Sequence, residues 1–239
     1  MSGKVLLTGA AGFIGRMLRE HWGDRFDLRL ADIREIEDET HESVAFNCSD
    51  YEAMKSACEG VDTVLHLAAD PSMKADFYES LLHRNVIATY NAFEAARQCG
   101  CRRIIFASSV NAVLGHKDIT PVPSDSSVYP INVYGATKCW GEALGRVYSH
   151  AHDLSSIMVR IGSPRFQQDG DWDPEEPSWG ISARDTAQLF ARCIEVEDVD
   201  FAVVSGVSGH KYPWLDLEVN RQVLGYEPED GTAFPRAGD

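Results

Sequence analysis

The chain has 239 residues, 44% of them hydrophobic, which is typical of one globular domain with at most a small appendage. Its formal net charge of −15 argues against a nucleic-acid partner and against an anionic membrane surface, because both require a basic protein face. The six cysteines show neither disulfide-scaffold nor zinc-ligand spacing, so we expect reduced thiols and no metal site. No signal peptide precedes the first strand, and we therefore expect a cytoplasmic location.

Short apolar runs alternate with helical patterns along the chain, and this order predicts an α/β fold with a doubly wound parallel sheet. The predicted strands cover residues 4–8, 26–32, 43–47, 61–68, 102–109, 155–162 and 200–206. The predicted helices cover 13–22, 51–58 with Asp50 as the N-cap, about 77–98, and 133–150.

Two long segments without periodicity interrupt this alternation. Residues 110–130 contain three prolines, and residues 163–181 are rich in proline, acidic residues and tryptophan. Long loops inside compact domains are usually functional or disordered. Each segment follows the carboxyl end of a predicted strand, where open α/β sheets bind their ligands. We therefore expect both segments to border a binding site.

A glycine-rich turn follows the first predicted strand. The sequence "LLTGAAGFIGRML" places Gly9, Gly12 and Gly15 between that strand and the next helix, where glycines let the backbone approach a pyrophosphate. Asp32, at the end of the second strand, can accept hydrogen bonds from both hydroxyls of an adenosine ribose and would repel the 2′-phosphate of NADP. These residues predict a Rossmann-type NAD site, and Arg34 keeps NADP open as the alternative.

Five motifs in order, "TGAAGFIG" (8–15), the acidic end of strand 2, "HLAA" (66–69), "FASS" (106–109) and "YGATK" (134–138), resemble the extended short-chain dehydrogenase/reductases, or NAD-dependent epimerase/dehydratase family. The resemblance covers about residues 4–165 and implies that Ser109, Tyr134 and Lys138 form the catalytic group. A tyrosine has an ordinary pKa near 10, too high for a base at neutral pH. Lys138 lies one helical turn beyond Tyr134, and we expect its positive charge to lower the pKa of Tyr134.

The same resemblance implies further site residues. Those expected to bind the cofactor, besides Tyr134 and Lys138, are Gly9, Gly12, Phe13, Ile14, Gly15, Asp32, Ile33, Asn47, Cys48, Leu67, Ala68, Ala69, Asn85 and Ile161. Those expected to bind the substrate are Asp70, Ser72, Ser109, Val110, Asn111, Tyr134, Ser163 and Arg165.

Nearly the whole chain also resembles the short sugar-oxidising members of this family, the uronate dehydrogenases and the archaeal NAD-dependent glucose-6-phosphate dehydrogenases. The resemblance implies oxidation of the C1 hydroxyl of a uronate, aldose or hexose phosphate to a lactone, with residues 1–162 as the NAD-binding domain and 163–239 as a small, integrated substrate cap. Val110 and Asn111 replace a usual Asn-His pair, and Pro174 stands near the place of an arginine that clamps the sugar carboxylate. Arg165 is the nearest alternative anion clamp.

Other functions remain open at this point. An NAD-dependent epimerase or carbonyl reductase has the same fold and catalytic residues, and a non-enzymatic NAD-binding sensor is a further alternative. The expected partners are a small sugar and a second copy of the chain, without nucleic acid or membrane. Members of the family often pair through the helices that correspond to residues 77–98 and 133–150, so we expect a homodimer or higher homo-oligomer.

Overall fold

The computed structural model describes residues 3–116, 119–165 and 178–231, and these form a seven-stranded parallel sheet in the order β3-β2-β1-β4-β5-β6-β9. A separate parallel pair, β7 with β8, lies beyond the end of β6. The strands are β1 Val5–Thr8, β2 Leu28–Asp32, β3 Glu42–Ala45, β4 Thr63–His66, β5 Arg103–Ser109, β6 Ser155–Ile161, β7 Ser163–Arg165, β8 Gly180–Ser182 and β9 Phe201–Gly206.

Helices cover both faces of the sheet. They are α1 Phe13–Trp22, α2 Tyr51–Cys58, α3 Ala88–Gln98, α4 Val133–His152 and α5 Ala183–Glu195, with a π-helix at Phe77–Ile87 leading into α3, a 3₁₀ turn at Val110–Ala112 and a short π-helix at Asn220–Leu224. Helix α1 packs against α5, whereas α3 packs against α2 and α4. This arrangement confirms the predicted doubly wound architecture.

The strands divide their side chains between two hydrophobic cores because successive residues of a strand point to opposite faces. In β1, Val5 and Leu7 belong to the core that contains residues of α1 and α5, whereas Leu6 belongs to the core that contains residues of α2 and α3. All three are fully buried. A parallel sheet covered on both faces requires such continuously apolar strands.

Local sequence signals account for most element boundaries. Helix α1 begins and ends where the periodicity predicts, and the Asp50 side chain accepts a hydrogen bond from the backbone of Ala53, as expected of an N-cap. Asn132 caps α4 in the same way, by accepting from Gly135. The predicted helix 77–98 differs from the structure in kind, because its first half is π-helical.

The C-terminal residues are integrated with the sheet. Strand β9 pairs in parallel with β6, and the loop after β5 is tied to the segment beyond β9, where Val122 donates to the carbonyl of Trp214 at 2.8 Å and accepts from Asp216 at 3.2 Å. Val122 is therefore anchored to the segment beyond β9. No helix within the described part of the chain is long and apolar enough to span a bilayer.

Candidate active site

The turn between β1 and α1 has no room for side chains at its glycines. Gly9 has a φ of 71°, and a Cβ there would lie 2.8 Å from the backbone nitrogen of Ala68. A Cβ on Gly15 would lie 2.4 Å from the carbonyl oxygen of Gly9. Gly12 is the N-cap of α1 and provides no capping side chain, and the first turn of the helix contains no acidic residue. The helix N-terminus is thus open to an anion, as a pyrophosphate site requires.

Asp32 connects the end of β2 to this turn. Its side chain is only 7% exposed, and Oδ2 accepts a hydrogen bond from the backbone of Ala11 at 3.0 Å. Oδ1 accepts from the backbone N–H and the Nε of Arg34, both at 3.1 Å. Both acceptor positions of Oδ1 are thus occupied by Arg34, whereas Oδ2 retains a further acceptor position. The carboxylate is therefore placed to receive a ribose hydroxyl beside the glycine turn.

One cavity of about 830 Å³ extends from this turn to the predicted catalytic residues. It is lined by most of the residues predicted from the sequence: Gly9, Gly12, Phe13, Ile14, Gly15, Asp32, Ile33, Asn47, Cys48, Leu67, Ala68, Ala69, Ser109, Val110, Asn111, Tyr134, Lys138, Ile161 and Ser163. The glycine turn, the strand-end acid and the predicted catalytic group thus border a single space.

Three predicted residues stand outside this lining and instead shape its wall. Asn85 is buried, and its amide accepts from the backbone N–H of Asp70 at 2.8 Å and donates to the carbonyl of Asp70 at 3.0 Å and to Thr137 at 3.2 Å. The Asp70 carboxylate accepts from the backbone of Ser72 at 2.9 Å and from the hydroxyl of Ser80 at 2.5 Å. Asn85, Asp70 and Ser72 therefore hold the loop after β4 instead of facing the cavity.

The fourth residue outside the lining is Arg165. Its backbone is the last residue of β7, paired with Ser182, but its side chain lies outside the described part of the chain, as do Trp172 and Pro174. Trp179, at the start of the paired segment, lines the cavity and packs edge-to-face against Trp214, with ring centroids 5.6 Å apart.

The predicted catalytic group comes from two adjacent elements. Ser109 is the last residue of β5, and Tyr134 and Lys138 lie one turn apart at the start of α4. The Nζ of Lys138 lies 5.5 Å from the ring centroid of Tyr134 and 5.1 Å from that of Phe106. Among the described residues this ammonium has no hydrogen-bond acceptor. It is therefore available to a ligand that enters the cavity.

Burial dominates the electrostatics of this group. It raises the pKa of Tyr134, and a hydrogen bond with Ser109 opposes that rise, whereas the negative charge of Asp70 adds to it. Burial lowers the pKa of Lys138 to about 8. The expectation that Lys138 lowers the pKa of Tyr134 is therefore not met in the protein alone, because the ammonium lies beside the ring and both groups are desolvated.

A buried ion pair lies next to Ser109, the predicted catalytic serine. Arg160 on β6 binds Glu142 on α4 through two hydrogen bonds of 3.0 and 2.9 Å, and Ser108 donates to the same carboxylate at 2.6 Å. Arg160 also reaches the carbonyls of Ser124 and Ser126, in the loop after β5. This network joins α4, β5, β6 and the loop into one unit around the active site.

Sequence reasoning missed several cavity residues. These are Phe46, Pro71, Met73, Arg84, Ala88, Ala107, Ser108 and Pro164. Arg84 is the most informative of them, because it is exposed and has no ion-pair or hydrogen-bond partner among the described residues. Arg84 directly precedes Asn85, a residue that the sequence analysis placed in the cofactor site. This adjacency was the signal that could have identified Arg84.

Comparisons with known proteins agree with this geometry. The model of the NAD dependent epimerase/dehydratase family matches residues 5–165. The chain is 35% identical to the NAD-dependent glucose-6-phosphate dehydrogenase of Haloferax volcanii, with 98% of the chain and 95% of the relative covered, and 33% identical to a uronate dehydrogenase of Pseudomonas syringae pv. tomato, with 98% and 84% covered.

Solved structures show the same similarity. The glucuronic acid dehydrogenase from Chromohalobacter salexigens superposes with a TM-score of 0.88 at 29% identity, over 98% of this chain and 86% of that one. A mutant of the uronate dehydrogenase from Agrobacterium tumefaciens, complexed with NAD, superposes with a TM-score of 0.86 at 30% identity, over 99% and 92%. The chain belongs to the NAD dependent epimerase/dehydratase family, and NAD is the cofactor that its glycine turn and Asp32 fit.

Proposed function

We propose that this protein is an NAD-dependent sugar dehydrogenase that oxidises the C1 hydroxyl of a sugar to a lactone. One observation carries the proposal: Ser109, Tyr134 and Lys138 border the same cavity as the glycine turn and Asp32. The similarity to glucose-6-phosphate and uronate dehydrogenases over nearly the whole chain supports a sugar as the substrate.

The proposed roles follow from chemistry and position. Tyr134 accepts the proton of the C1 hydroxyl, Ser109 donates a hydrogen bond to the oxygen that loses this proton, and Lys138 binds the hydroxyls of the nicotinamide ribose. NAD, when bound, supplies the hydride acceptor and a positively charged ring. Loss of one proton and one hydride from the C1–OH group leaves the carbonyl of a lactone.

The protonation state of Tyr134 limits this reaction. Burial raises its pKa, so the tyrosinate forms only where positive charge is nearby. Lys138, with its pKa lowered to about 8, is charged at neutral pH and can supply part of that stabilisation once a ligand draws the two groups together. We therefore expect oxidation to become faster as the pH rises from 7 toward 8 and to gain less above pH 8, where Lys138 loses its charge.

The other predicted site residues form part of this proposal. Val110, Asn111 and Ser163 are proposed to contact the sugar, Arg165 to bind an anionic group on it, and the loop held by Asn85 to close the wall between cofactor and sugar. Asp70 and Ser72 then act by holding this loop. The substrate panel below decides between a uronate, an aldose and a hexose phosphate.

A homodimer is also proposed. On the helices expected to pair, Tyr90, Trp140 and Val147 are large hydrophobic residues with 46%, 39% and 53% exposure. Such exposure is typical of an interaction surface. Light scattering of the purified protein measures the mass directly, and a monomer at micromolar concentration would contradict the proposal.

The decisive experiment follows NADH formation with a panel of uronates, aldoses and hexose phosphates. We expect turnover with at least one class, and tight NAD binding without any turnover would refute the proposed function. Tyr134→Phe should abolish turnover and retain NAD binding. Tyr129→Phe is the matched control, because Tyr129 lies five residues earlier, is 55% exposed and does not line the cavity.

A further inference from the structure

Two asparagines lie behind the catalytic serine. Asn111 belongs to the 3₁₀ turn that follows β5, and the Oγ of Ser109 accepts a hydrogen bond from its backbone N–H at 3.2 Å and from its side-chain Nδ2 at 3.1 Å. The Oδ1 of Asn111 in turn accepts from the Nδ2 of Asn132, the N-cap of α4, at 2.8 Å. A chain of hydrogen bonds thus leads from the start of α4 to Ser109.

A backbone group fixes the direction of this chain. The N–H of Gly135 can only donate, and it donates to the side chain of Asn132 at 2.7 Å, so the atom that accepts is the amide oxygen. The Nδ2 of Asn132 must then donate to Asn111, and the contacting atom of Asn111 must be its oxygen. The Nδ2 of Asn111 is consequently the group that faces Ser109.

The two donors from Asn111 determine what Ser109 can do. A serine hydroxyl has two acceptor positions and one hydrogen, and both acceptor positions of Ser109 are occupied. Its hydrogen must therefore be donated to a further group, and Ser109 lines the cavity that Tyr134 borders. The hydrogen bond with Ser109 that lowers the pKa of Tyr134 agrees with this polarity.

We propose that Asn132 and Asn111 are positioning residues, which form an amide relay that fixes Ser109 as a hydrogen-bond donor toward the reacting oxygen. The inference rests on the proposed function, in which the C1 hydroxyl donates its proton to Tyr134. Its oxygen then has lone pairs free to accept from Ser109, and this hydrogen bond strengthens as negative charge develops on the oxygen.

Close packing keeps the relay in place. A Cβ on Gly135 would lie 2.3 Å from the carbonyl oxygen of Asn111 and 3.2 Å from Pro130, so the backbone of α4 lies directly against the turn. Asn132 itself does not line the cavity. A substitution at Asn132 consequently tests the relay without removing a contact to the cofactor or the sugar.

The relay can be broken while the helix cap is kept. Asn132→Asp and Asn132→Ser both retain a capping oxygen for Gly135, but neither retains the Nδ2 that donates to Asn111. The aspartate carboxylate has no hydrogen to donate, and the serine side chain is one atom shorter, so its single oxygen does not reach the position of Nδ2. We expect kcat to fall about tenfold to a hundredfold in both variants, while the Kd of NAD stays unchanged. This loss is smaller than the roughly hundredfold to thousandfold loss on removal of an oriented donor, because Ser109 is retained and loses only its fixed orientation. A similar loss of kcat in Asn132→Asp, which is charged, and in Asn132→Ser, which is not, would show that the new carboxylate is not the cause.

A double-mutant cycle separates the relay from general disorder of the site. If Asn132 acts through Ser109, Asn132→Ser should cost nothing further in a Ser109→Ala background. If Asn132→Ser lowers kcat in the Ser109→Ala background by the same factor as in the wild type, the relay is refuted. Wild-type protein without turnover on any sugar of the panel would instead reject the proposed function.

A titration tests the relay without turnover. The pKa of Tyr134, followed by NMR of ¹³C-labelled tyrosine and assigned with Tyr134→Phe, should rise in Asn132→Ser, because Ser109 no longer donates reliably to the phenol oxygen. A merely structural role for Asn132 would leave this pKa unchanged, and that result would refute the inference.

Discussion

The buried ammonium of Lys138 should make the protein less stable than a variant without it. Burial lowers the pKa of Lys138 from its ordinary value of 10.5 to about 8. Since each pH unit of difference corresponds to 1.36 kcal/mol, holding the cation in the folded protein costs about 3 kcal/mol at pH 7. Lys138→Met removes the charge and keeps the length of the side chain, so it should raise the free energy of unfolding by about this amount.

The pH dependence of this gain has a definite sign. Between pH 8 and 10.5 the unfolded chain binds more protons at this residue than the folded protein does, so the stability of the wild type increases with pH in this range. The advantage of Lys138→Met should therefore be largest at pH 7 and should disappear near pH 10.5. The difference between the two proteins isolates Lys138 from other groups that titrate there.

Urea unfolding of the NAD-free proteins at pH 7, 9 and 10.5 measures the effect. Lys74→Met is the matched control, because Lys74 is exposed, and it should change the stability little at any pH. The variant at position 138 should lose its dehydrogenase activity despite its greater stability. An equal or lower stability at pH 7, or a gain that persists at pH 10.5, would refute the electrostatic reasoning.

Three further predictions concern the cavity and its support. Glu142→Gln leaves the buried guanidinium of Arg160 without its counter-charge and should cost about 3–5 kcal/mol in urea unfolding; a cost below about 1 kcal/mol would contradict this. Gly15→Ala should weaken NAD binding measured by calorimetry, because its Cβ would lie 2.4 Å from a carbonyl oxygen, and an unchanged Kd would show that the turn can adapt. Arg84→Met should raise the KM of one anionic ligand, NAD or the sugar, about tenfold with little change in kcat, whereas two unchanged KM values would exclude Arg84 from binding.

The parts of the site that the sequence predicted depend on short-range patterns. The glycine turn is encoded in seven consecutive residues, from Gly9 to Gly15, and Tyr134 and Lys138 lie on one face of a helix because they are four residues apart. The order of strands and helices then brings both to the carboxyl edge of the sheet. The predicted fold was confirmed for the same reason.

The parts that were missed depend on partners far apart in the chain. Nothing in the sequence pairs Arg160 with Glu142 or Asn132 with Asn111, because these contacts exist only once β5, β6 and α4 are packed. The direction of the pKa change at Tyr134 could not be predicted from the sequence either, because it depends on burial and not on the spacing of residues. The hydrogen bonds of the Asn85 amide with Asp70 and Thr137 likewise join residues that are far apart in the chain.

The parallel pairing of β7 and β8 is anchored by backbone groups. The backbone N–H of Ser163 donates to the carbonyl of Trp179 at 2.8 Å, and that of Ser178 donates to the carbonyl of Tyr212 at 3.0 Å. Every residue except proline supplies such a donor, so neither hydrogen bond depends on the side chain at its position. The residues at these two positions can therefore change while the backbone on either side of the cavity-lining Trp179 stays anchored.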